Sequence, residues 1–237
     1  MAGIARTGFT TASDRRRSDP PWLGGAPILR QAYLLAVYAH GSTRRATDQH
    51  LFLDHVVDVA CSLYEAGFDE EVVAVGLLHD SVERGTLRAE RLEQLMGPSI
   101  ASLVLVLSED PGIPSFDRRK AGLRAQVERA GCPAVEIYAA DKLSDMLGLQ
   151  RGIEMHRDGL EERMGTSIRG MAAHYRESVE MIASVEPDSI FLPTLKMRLW
   201  KLEDDVRRTD GKRRTGVEPT LEPTAAVTSS PADLATG

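Results

Sequence analysis

The sequence predicts an all-helical protein with an aliphatic core. Apolar residues recur every three or four positions along most of the chain, which is the spacing of one helix face. Glycine and proline separate these segments, and no segment alternates apolar and polar residues as a half-buried strand would. Apolar residues make up 42% of the chain and aromatic residues only 5%, so mainly aliphatic side chains should fill the core.

The first three helices are bounded by residues with clear end preferences. Gly41 stops the first helix, Thr47 or Asp48 can cap the second, and Gly67 ends it. Asp69 can cap the third helix, whose interior is apolar on nearly every side, which predicts a central position. These three predicted helices span 28–40, 47–66 and 70–82.

The later helices follow the same logic. Gly97-Pro98 separates two short helices, Gly131 ends a charged one, and Pro133 suits the first position of the next. A more charged helical stretch and a last amphipathic helix complete the series. These predicted segments span 88–95, 99–107, 117–130, 133–147, 153–185 and 189–208.

Both ends of the chain are predicted to lie outside the core. Residues 1–26 and 209–237 are rich in small and polar residues and lack apolar periodicity, so we expect a disordered leader and tail. A single domain is expected over 27–208, with the C-terminal helices in 153–208.

Bulk composition excludes some classes of protein. The net charge of -6 argues against a general nucleic-acid binder but allows a small anionic substrate. No apolar run is long enough for a membrane span, and no signal peptide is recognised. Two cysteines without CxxC spacing favour free thiols in a reducing cytoplasm. The sequence does not decide the oligomeric state.

One stretch carries chemistry. The apolar run 72–78 leads directly into His79-Asp80, and Glu83 follows three residues after this pair. An imidazole beside a carboxylate suits a divalent metal, but two residues cannot complete a coordination shell. His55 and Asp141 are the candidate partners, because both stand in apolar helical surroundings where an unpaired polar group is costly.

Other interpretations of these residues remain open. His55 can be a core histidine bonded to a backbone carbonyl, and Lys142 can pair with Asp141. His156 and His174 are expected at the surface or against a partner helix. A cationic run on the sixth predicted helix is either a solvated face or a source of phosphate contacts: Arg118, Arg119, Lys120 and Arg124.

The ordered set of motifs resembles the HD-domain metal-dependent phosphohydrolases, in particular the hydrolase domain of the RelA/SpoT alarmone enzymes and the small alarmone hydrolases. The resemblance covers about 32–147. The segment 77–83, Leu-Leu-His-Asp-Ser-Val-Glu, is similar to the family's Leu-Leu-His-Asp-Val-Val-Glu-Asp. The segment 140–143, Ala-Asp-Lys-Leu, matches Ala-Asp-Lys/Arg-Leu, and the segments 40–45, 53–55 and 96–104 resemble further family motifs.

The resemblance implies an HD-type helical bundle that removes the 3′-pyrophosphate of guanosine 3′,5′-bis(diphosphate), ppGpp, in the cytoplasm. It implies Glu83 as the residue that activates the attacking water. It implies one Mn²⁺ ion held by four ligands: His55, His79, Asp80 and Asp141. It implies substrate contacts from four further residues: Arg44, Arg45, Lys142 and Asp145. The absence of histidine from 81 to 142 favours one metal over two.

The chain departs from the family pattern at several positions. Arg84 replaces an acidic residue, and Ser144-Asp145 replaces a His/Tyr-Asn pair. Val56 replaces a proline after His55, and the first loop lacks its glutamine. Two alternative functions therefore stay open: a catalytically degenerate HD module that binds a nucleotide or acts as a scaffold, and an HD phosphohydrolase of another nucleotide.

Overall fold

The computed structural model describes residue 20, residues 22–155 and residues 158–215, with side chains described up to residue 208. His156 and most of the leader and tail predicted for 1–26 and 209–237 lie outside these residues. Trp22 and Ala26, within the predicted leader, are buried in the hydrophobic core. Packing therefore begins before the boundary predicted at residue 27.

The all-helical prediction is confirmed. The described residues contain ten helices and no strand, apart from one isolated antiparallel bridge between Arg44 and Leu51. In chain order the helices are α1 (Pro27–His40), α2 (Phe52–Glu65), α3 (Glu70–Leu78), α4 (Ala89–Met96), α5 (Pro98–Val106), α6 (Phe116–Ala130), α7 (Ala134–Met155), α8 (Leu160–Met164), α9 (Ile168–Val185) and α10 (Leu192–Thr215).

Helix α3 lies at the centre of the bundle, as its apolar sequence predicts. It packs against α1, α2, α5 and α7, and every residue from 72 to 78 is buried. Gly76 allows α2 to approach closely, since a Cβ there would lie 2.7 Å from Leu63 Cδ1 and 3.3 Å from Ala60 Cα. This close approach brings the end of α3 beside the first turns of α2.

Helix α7 is the second axis of the bundle. It packs against α2, α3, α6, α9 and α10, so it joins the N-terminal helices to the C-terminal ones. The prediction ended this helix at residue 147, but it continues to Met155. Gly148 and Gly152 do not end it, because they form a notch against the loop 42–51: added Cβ atoms would meet the Arg45 guanidinium and the Thr47 carbonyl.

Other predicted boundaries are also wrong. The second helix begins at Phe52 instead of 47, because the Asp48 carboxylate is used elsewhere: it accepts from Arg151 Nη2 at 2.7 Å and Nε at 3.0 Å. The third helix ends at Leu78 instead of residue 82, and turns follow it. The stretch predicted over 153–185 contains two helices, α8 and α9.

Candidate metal centre

Two histidines meet between α2 and the end of α3. His55 lies in the first turn of α2, and His79 is the residue that caps α3 at its C-terminus. Their ring centroids are 5.3 Å apart, and both side chains are almost completely buried. The Gly76 contact with α2 makes this proximity possible.

Hydrogen bonds orient both imidazole rings. His79 Nδ1 donates to the carbonyl oxygen of Gly76 at 2.9 Å, one turn earlier on α3. His55 Nδ1 lies 2.9 Å from Ser144 Oγ on α7. With Nδ1 protonated on each ring, both Nε2 atoms carry free lone pairs, which is the tautomer that metal-binding histidines use.

Two carboxylates approach the same Nε2 atoms. Asp141 Oδ1, from α7, lies 3.3 Å from His55 Nε2 and 3.5 Å from His79 Nε2. Asp80 Oδ2 lies 3.6 Å from His79 Nε2 and 3.9 Å from His55 Nε2. The structure thus brings together the four side chains that the sequence singled out.

The donor set fits a divalent cation. His55, His79 and Asp141 each offer one ligand atom, and these atoms lie within 4.8 Å of one another. His79 Nε2 is buried without a hydrogen-bond partner among the described residues, which is costly unless a ligand occupies the space beside it. Two nitrogen and two carboxylate donors suit Mn²⁺ or Zn²⁺ better than Ca²⁺, but do not choose one metal.

The pKa values of these buried groups reflect how closely the groups lie together. Burial acts to lower the pKa of His79, but Asp80 and Asp141 outweigh it and raise the pKa to about 9. Burial acts to raise the pKa of Asp141, but Lys142 and the two imidazoles hold it well below its usual value. Because the two carboxylates raise the pKa of His79, a cation at this position would compete with a proton on its ring.

Glu83 lies beyond the helix, in the turn that follows His79. Its Oε2 accepts a hydrogen bond of 3.1 Å from the backbone N–H of Glu109, in the loop between α5 and α6. Desolvation of the carboxyl and the negative charges of Asp80 and Glu109 raise the pKa of Glu83 to about 7. A carboxyl group with this pKa can accept and return a proton near neutral pH.

The candidate substrate residues form a charged chain beside Asp141. Lys142 Nζ lies 2.7 Å from Asp141 Oδ2 and 2.9 Å from Asp145 Oδ2. Arg45 is buried and its Nη2 lies 2.8 Å from Asp145 Oδ1. Arg44 is exposed instead, and its Nη1 donates to the Gln49 carbonyl at 2.7 Å. Three of the four residues therefore form one network, and Arg44 lies at its edge.

Three of the four cations in the run on α6 form ion pairs with carboxylates of other elements. Arg119 and Lys120 both bind the carboxylate of Glu109. Arg124 donates to His174 Nδ1 at 2.8 Å and pairs with Glu177 on α9. Of the two positions predicted for His174, at the surface or against a partner helix, the surface is wrong: this residue of α9 is 4% exposed and lies against α6, where Arg124 contacts it.

Three residues contribute to the site in ways that the sequence did not predict. Ser144 holds a ring nitrogen of His55, and Glu109 binds Glu83 through its backbone. His40, at the end of α1, is buried beside Phe52 with neither ring nitrogen hydrogen-bonded among the described residues. The His40-Gly41 sequence was a signal for a helix end, whereas Glu109 stands in a loop and gave no signal at all.

The all-helical bundle and its His-His-Asp cluster define an HD domain. Residues 32–131 match the family described as HD domain. Over 77 residues, 32% of this chain, it is 39% identical to the Brucella ovis protein named GTP pyrophosphokinase rsh. Over 93 residues, 39% of this chain, it is 38% identical to the bifunctional (p)ppGpp synthase/hydrolase SpoT of Escherichia coli K12.

The matched segments are 10% and 13% of these relatives' length. The predicted family resemblance is confirmed: the chain contains an HD domain related to that of the bifunctional (p)ppGpp synthase/hydrolase SpoT and of the protein named GTP pyrophosphokinase rsh.

Solved structures share the fold. A metazoan SpoT ortholog, described as hydrolysing ppGpp, aligns with a TM-score of 0.58 and 21% identity over 78% of this chain and 96% of its own. A protein from Listeria monocytogenes EGD-e aligns with a TM-score of 0.56 and 24% identity over 63% of this chain and 99% of its own. None of the described helices combines the length and apolar character that crossing a bilayer requires.

Proposed function

We propose that this protein is a mononuclear-metal phosphohydrolase that removes the 3′-pyrophosphate of ppGpp. The observation that carries the proposal is the convergence of His55, His79 and Asp141 on one buried point, where His79 Nε2 has no hydrogen-bond partner among the described residues. The relationship to SpoT supports a nucleotide bearing several phosphates as substrate.

The proposed metal site consists of His55, His79, Asp80 and Asp141. A divalent ion there, Mn²⁺ in our proposal, would supply Lewis acidity and neutralise phosphate charge. The protein's own contribution is to fix the donors before the ion arrives, through the bonds of His55 to Ser144 and of His79 to Gly76. Fixed donors bind the ion without further loss of conformational freedom.

Glu83 is the proposed general base. Its carboxylate is held by the N–H of Glu109, and its pKa of about 7 allows it to take a proton from the attacking water. The reaction adds water across the bond between the 3′-oxygen and phosphorus. One proton of that water moves to Glu83, and the 3′-oxygen leaves and is protonated, which gives the 3′-hydroxyl and pyrophosphate.

The substrate contacts that we propose lie on both sides of the loop 42–51. Arg45 and Lys142 would approach phosphate oxygens, and Asp145 would hold these two cations in place as it does in this structure. Arg44 is exposed at the edge of the network and is available to the nucleotide. Arg45 and His55 both line a cavity of about 200 Å³.

The test combines metal content with turnover. Elemental analysis should show one metal ion per chain, and Mn²⁺ should support release of pyrophosphate from ppGpp. The variant with His79→Ala and Asp80→Ala should lose both properties. An absence of bound metal in the wild type would reject the metal site. Cleavage of a different nucleotide from a panel would keep the phosphohydrolase and reject ppGpp.

A non-catalytic nucleotide-binding module is the second candidate. The observation that favours it is Asp145, whose carboxylate is already taken by Arg45 and Lys142, where the resembling family usually has an uncharged asparagine. Tight binding of a nucleotide without turnover of any member of the panel would select this candidate. Turnover that disappears in the His79→Ala, Asp80→Ala variant would exclude it.

A further inference from the structure

The cations around the metal centre differ in how far they are already neutralised. Arg45 lies 2.8 Å from Asp145, and Lys142 lies 2.7 Å from Asp141. Four cations bind carboxylates at hydrogen-bonding distance: Arg45, Lys142, Arg119 and Lys120. A substrate phosphate that recruits any of them must compete with the carboxylate that holds it.

Arg84 is different. Its Nε lies 3.9 Å from Asp80 Oδ2, which is too long for a hydrogen bond. Within residues 22–155 and 158–208, its guanidinium makes no side-chain hydrogen bond. The side chain is 42% exposed, so its donors face solvent beside a candidate metal ligand.

The ring of Phe52 supports the Arg84 guanidinium. Its central carbon lies 3.6 Å from the centroid of the Phe52 ring, a cation–π contact. Phe52 is buried, and its ring also packs against His55 at 5.2 Å and His40 at 4.9 Å between centroids. The residue that supports Arg84 is therefore itself packed against the metal centre.

Hydrogen bonds in the turn after α3 fix the backbone of Arg84. The Arg84 N–H donates to the Asp80 carbonyl at 3.2 Å, and the Gly85 N–H donates to the Val82 carbonyl at 2.8 Å. Gly85 has a φ of 70°, which favours glycine, so the turn after α3 has a defined shape. Arg84 is thus held at both its backbone and its guanidinium.

We propose that Arg84 binds phosphate oxygens of the substrate's reacting pyrophosphate, next to the phosphate that the metal centre holds. A guanidinium whose central carbon lies over an aromatic ring and whose N–H groups make no side-chain hydrogen bond has donors free for two oxygens at once. This assigns a specificity role to Arg84: it favours a diphosphate over a monophosphate at the reacting position. The inference rests on the proposed function, since it concerns the same site.

The probe is inorganic pyrophosphate, with inorganic phosphate for comparison. Binding to the Mn²⁺-loaded protein is measured by equilibrium dialysis for the wild type, Arg84→Gln, Arg84→Lys and Arg91→Gln. All variants receive the same metal and pyrophosphate, so chelation in solution affects them equally. Arg91 is the matched control, because it is an exposed arginine on α4 that contacts Gln94.

Arg84→Gln should weaken pyrophosphate binding by at least about tenfold, the usual cost of losing a charged hydrogen bond. Arg84→Lys should recover only part of this loss, because an ammonium group is not a planar fork. Arg91→Gln should bind as the wild type does. The binding of inorganic phosphate should change much less than that of pyrophosphate in Arg84→Gln.

Equal pyrophosphate binding by the wild type and Arg84→Gln would overturn the inference. Turnover of ppGpp, measured on the same preparations, separates this failure from failure of the proposed function. Pyrophosphate binding that depends on Arg84 without ppGpp turnover would reject only the substrate. Turnover with a KM that Arg84→Gln leaves unchanged would reject the role of Arg84 and keep the hydrolase.

Discussion

At the scale of single residues, the candidate metal centre depends on the group that orients each donor atom. Ser144 is the clearest example, because its hydroxyl lies 2.9 Å from His55 Nδ1 in a buried position. Removing this oxygen leaves a buried N–H without an acceptor and frees the ring to turn or to change tautomer. Ser144 therefore determines how well His55 can present Nε2.

Ser144→Ala should weaken Mn²⁺ binding by about 10- to 100-fold, the usual effect of losing such an orienting bond. Metal affinity is measured by competition with a chelator of known affinity. Ser62→Ala is the control, since Ser62 on α2 bonds only the Asp58 carbonyl. Unchanged metal affinity in Ser144→Ala would mean that packing alone orients the ring.

The candidate ligands could be predicted from the sequence, but the hydrogen bonds that orient them could not. His55, His79 and Asp141 stood out because a polar group in an apolar helix needs a partner. The Ser144 bond and the Glu109 N–H contact link residues 89 and 26 positions apart. Neither contact leaves a local pattern, because serine and a loop backbone are common everywhere.

At the scale of helices, the contact between α7 and the loop 42–51 places the charged network. Gly152 lies against the backbone of this loop, where a Cβ would be 2.4 Å from the Thr47 carbonyl oxygen. Gly148 lies against a side chain instead, 2.7 Å from the Arg45 guanidinium. A flexible side chain can move aside, but a bonded loop backbone cannot do so cheaply.

Gly152→Ala should therefore lower the free energy of unfolding by about 1–3 kcal/mol. Gly148→Ala should cost less stability but should displace Arg45 from Asp145, so its main effect should be on nucleotide binding. Gly122→Ala is the control: its Cβ would meet only Ile113 at 3.8 Å, and the change should stabilise α6 by about 0.5–1 kcal/mol. Urea unfolding measures all three, and equal costs at 148 and 152 would contradict this account.

Helix positions were more predictable than helix ends. The apolar period located α1, α4, α5 and α6 closely, whereas the start of α2 and the ends of α3 and α7 were predicted wrongly. Asp48 looks like a helix cap in sequence, but a buried ion pair with Arg151 satisfies it. The preference of Asp48 for a helix cap is therefore overridden by a contact with a residue 103 positions away.

At the scale of the whole molecule, one buried histidine links stability to pH. Burial, together with the charges of Lys142, Lys120 and Arg124, lowers the pKa of His174 to about 2. In the unfolded chain this histidine titrates near its ordinary value of 6.5. Between these values unfolding takes up a proton at His174, so the contribution of His174 to stability is full above about pH 6.5 and falls as the pH falls.

His174→Gln should flatten this dependence, because glutamine takes up no proton in either state. The expected change in slope is up to about 1.4 kcal/mol per pH unit in the acid range. Free energies of unfolding from urea titrations at about pH 7, 6 and 5 measure it. Ser178→Ala, a neutral change on α9 that removes a bond to the His174 carbonyl, should lower stability without changing the slope. Parallel curves for wild type and His174→Gln would show that His174 does not carry the effect.

The burial of every α3 residue from Val72 to Leu78 also restricts how this molecule can vary. Val72 is 9% exposed and the next three residues are 0% exposed. A substitution at any of these four positions therefore alters the core. Most helices have a solvent-facing side on which a substitution leaves the core unchanged, as α6 does outside its two buried residues, Leu123 and Val127. Beyond its first two residues, Glu70 and Glu71, helix α3 has no such side. Evolutionary change that reaches the His79-Asp80 end must therefore come from the turn after it or from neighbouring helices, and Arg84 stands in that turn.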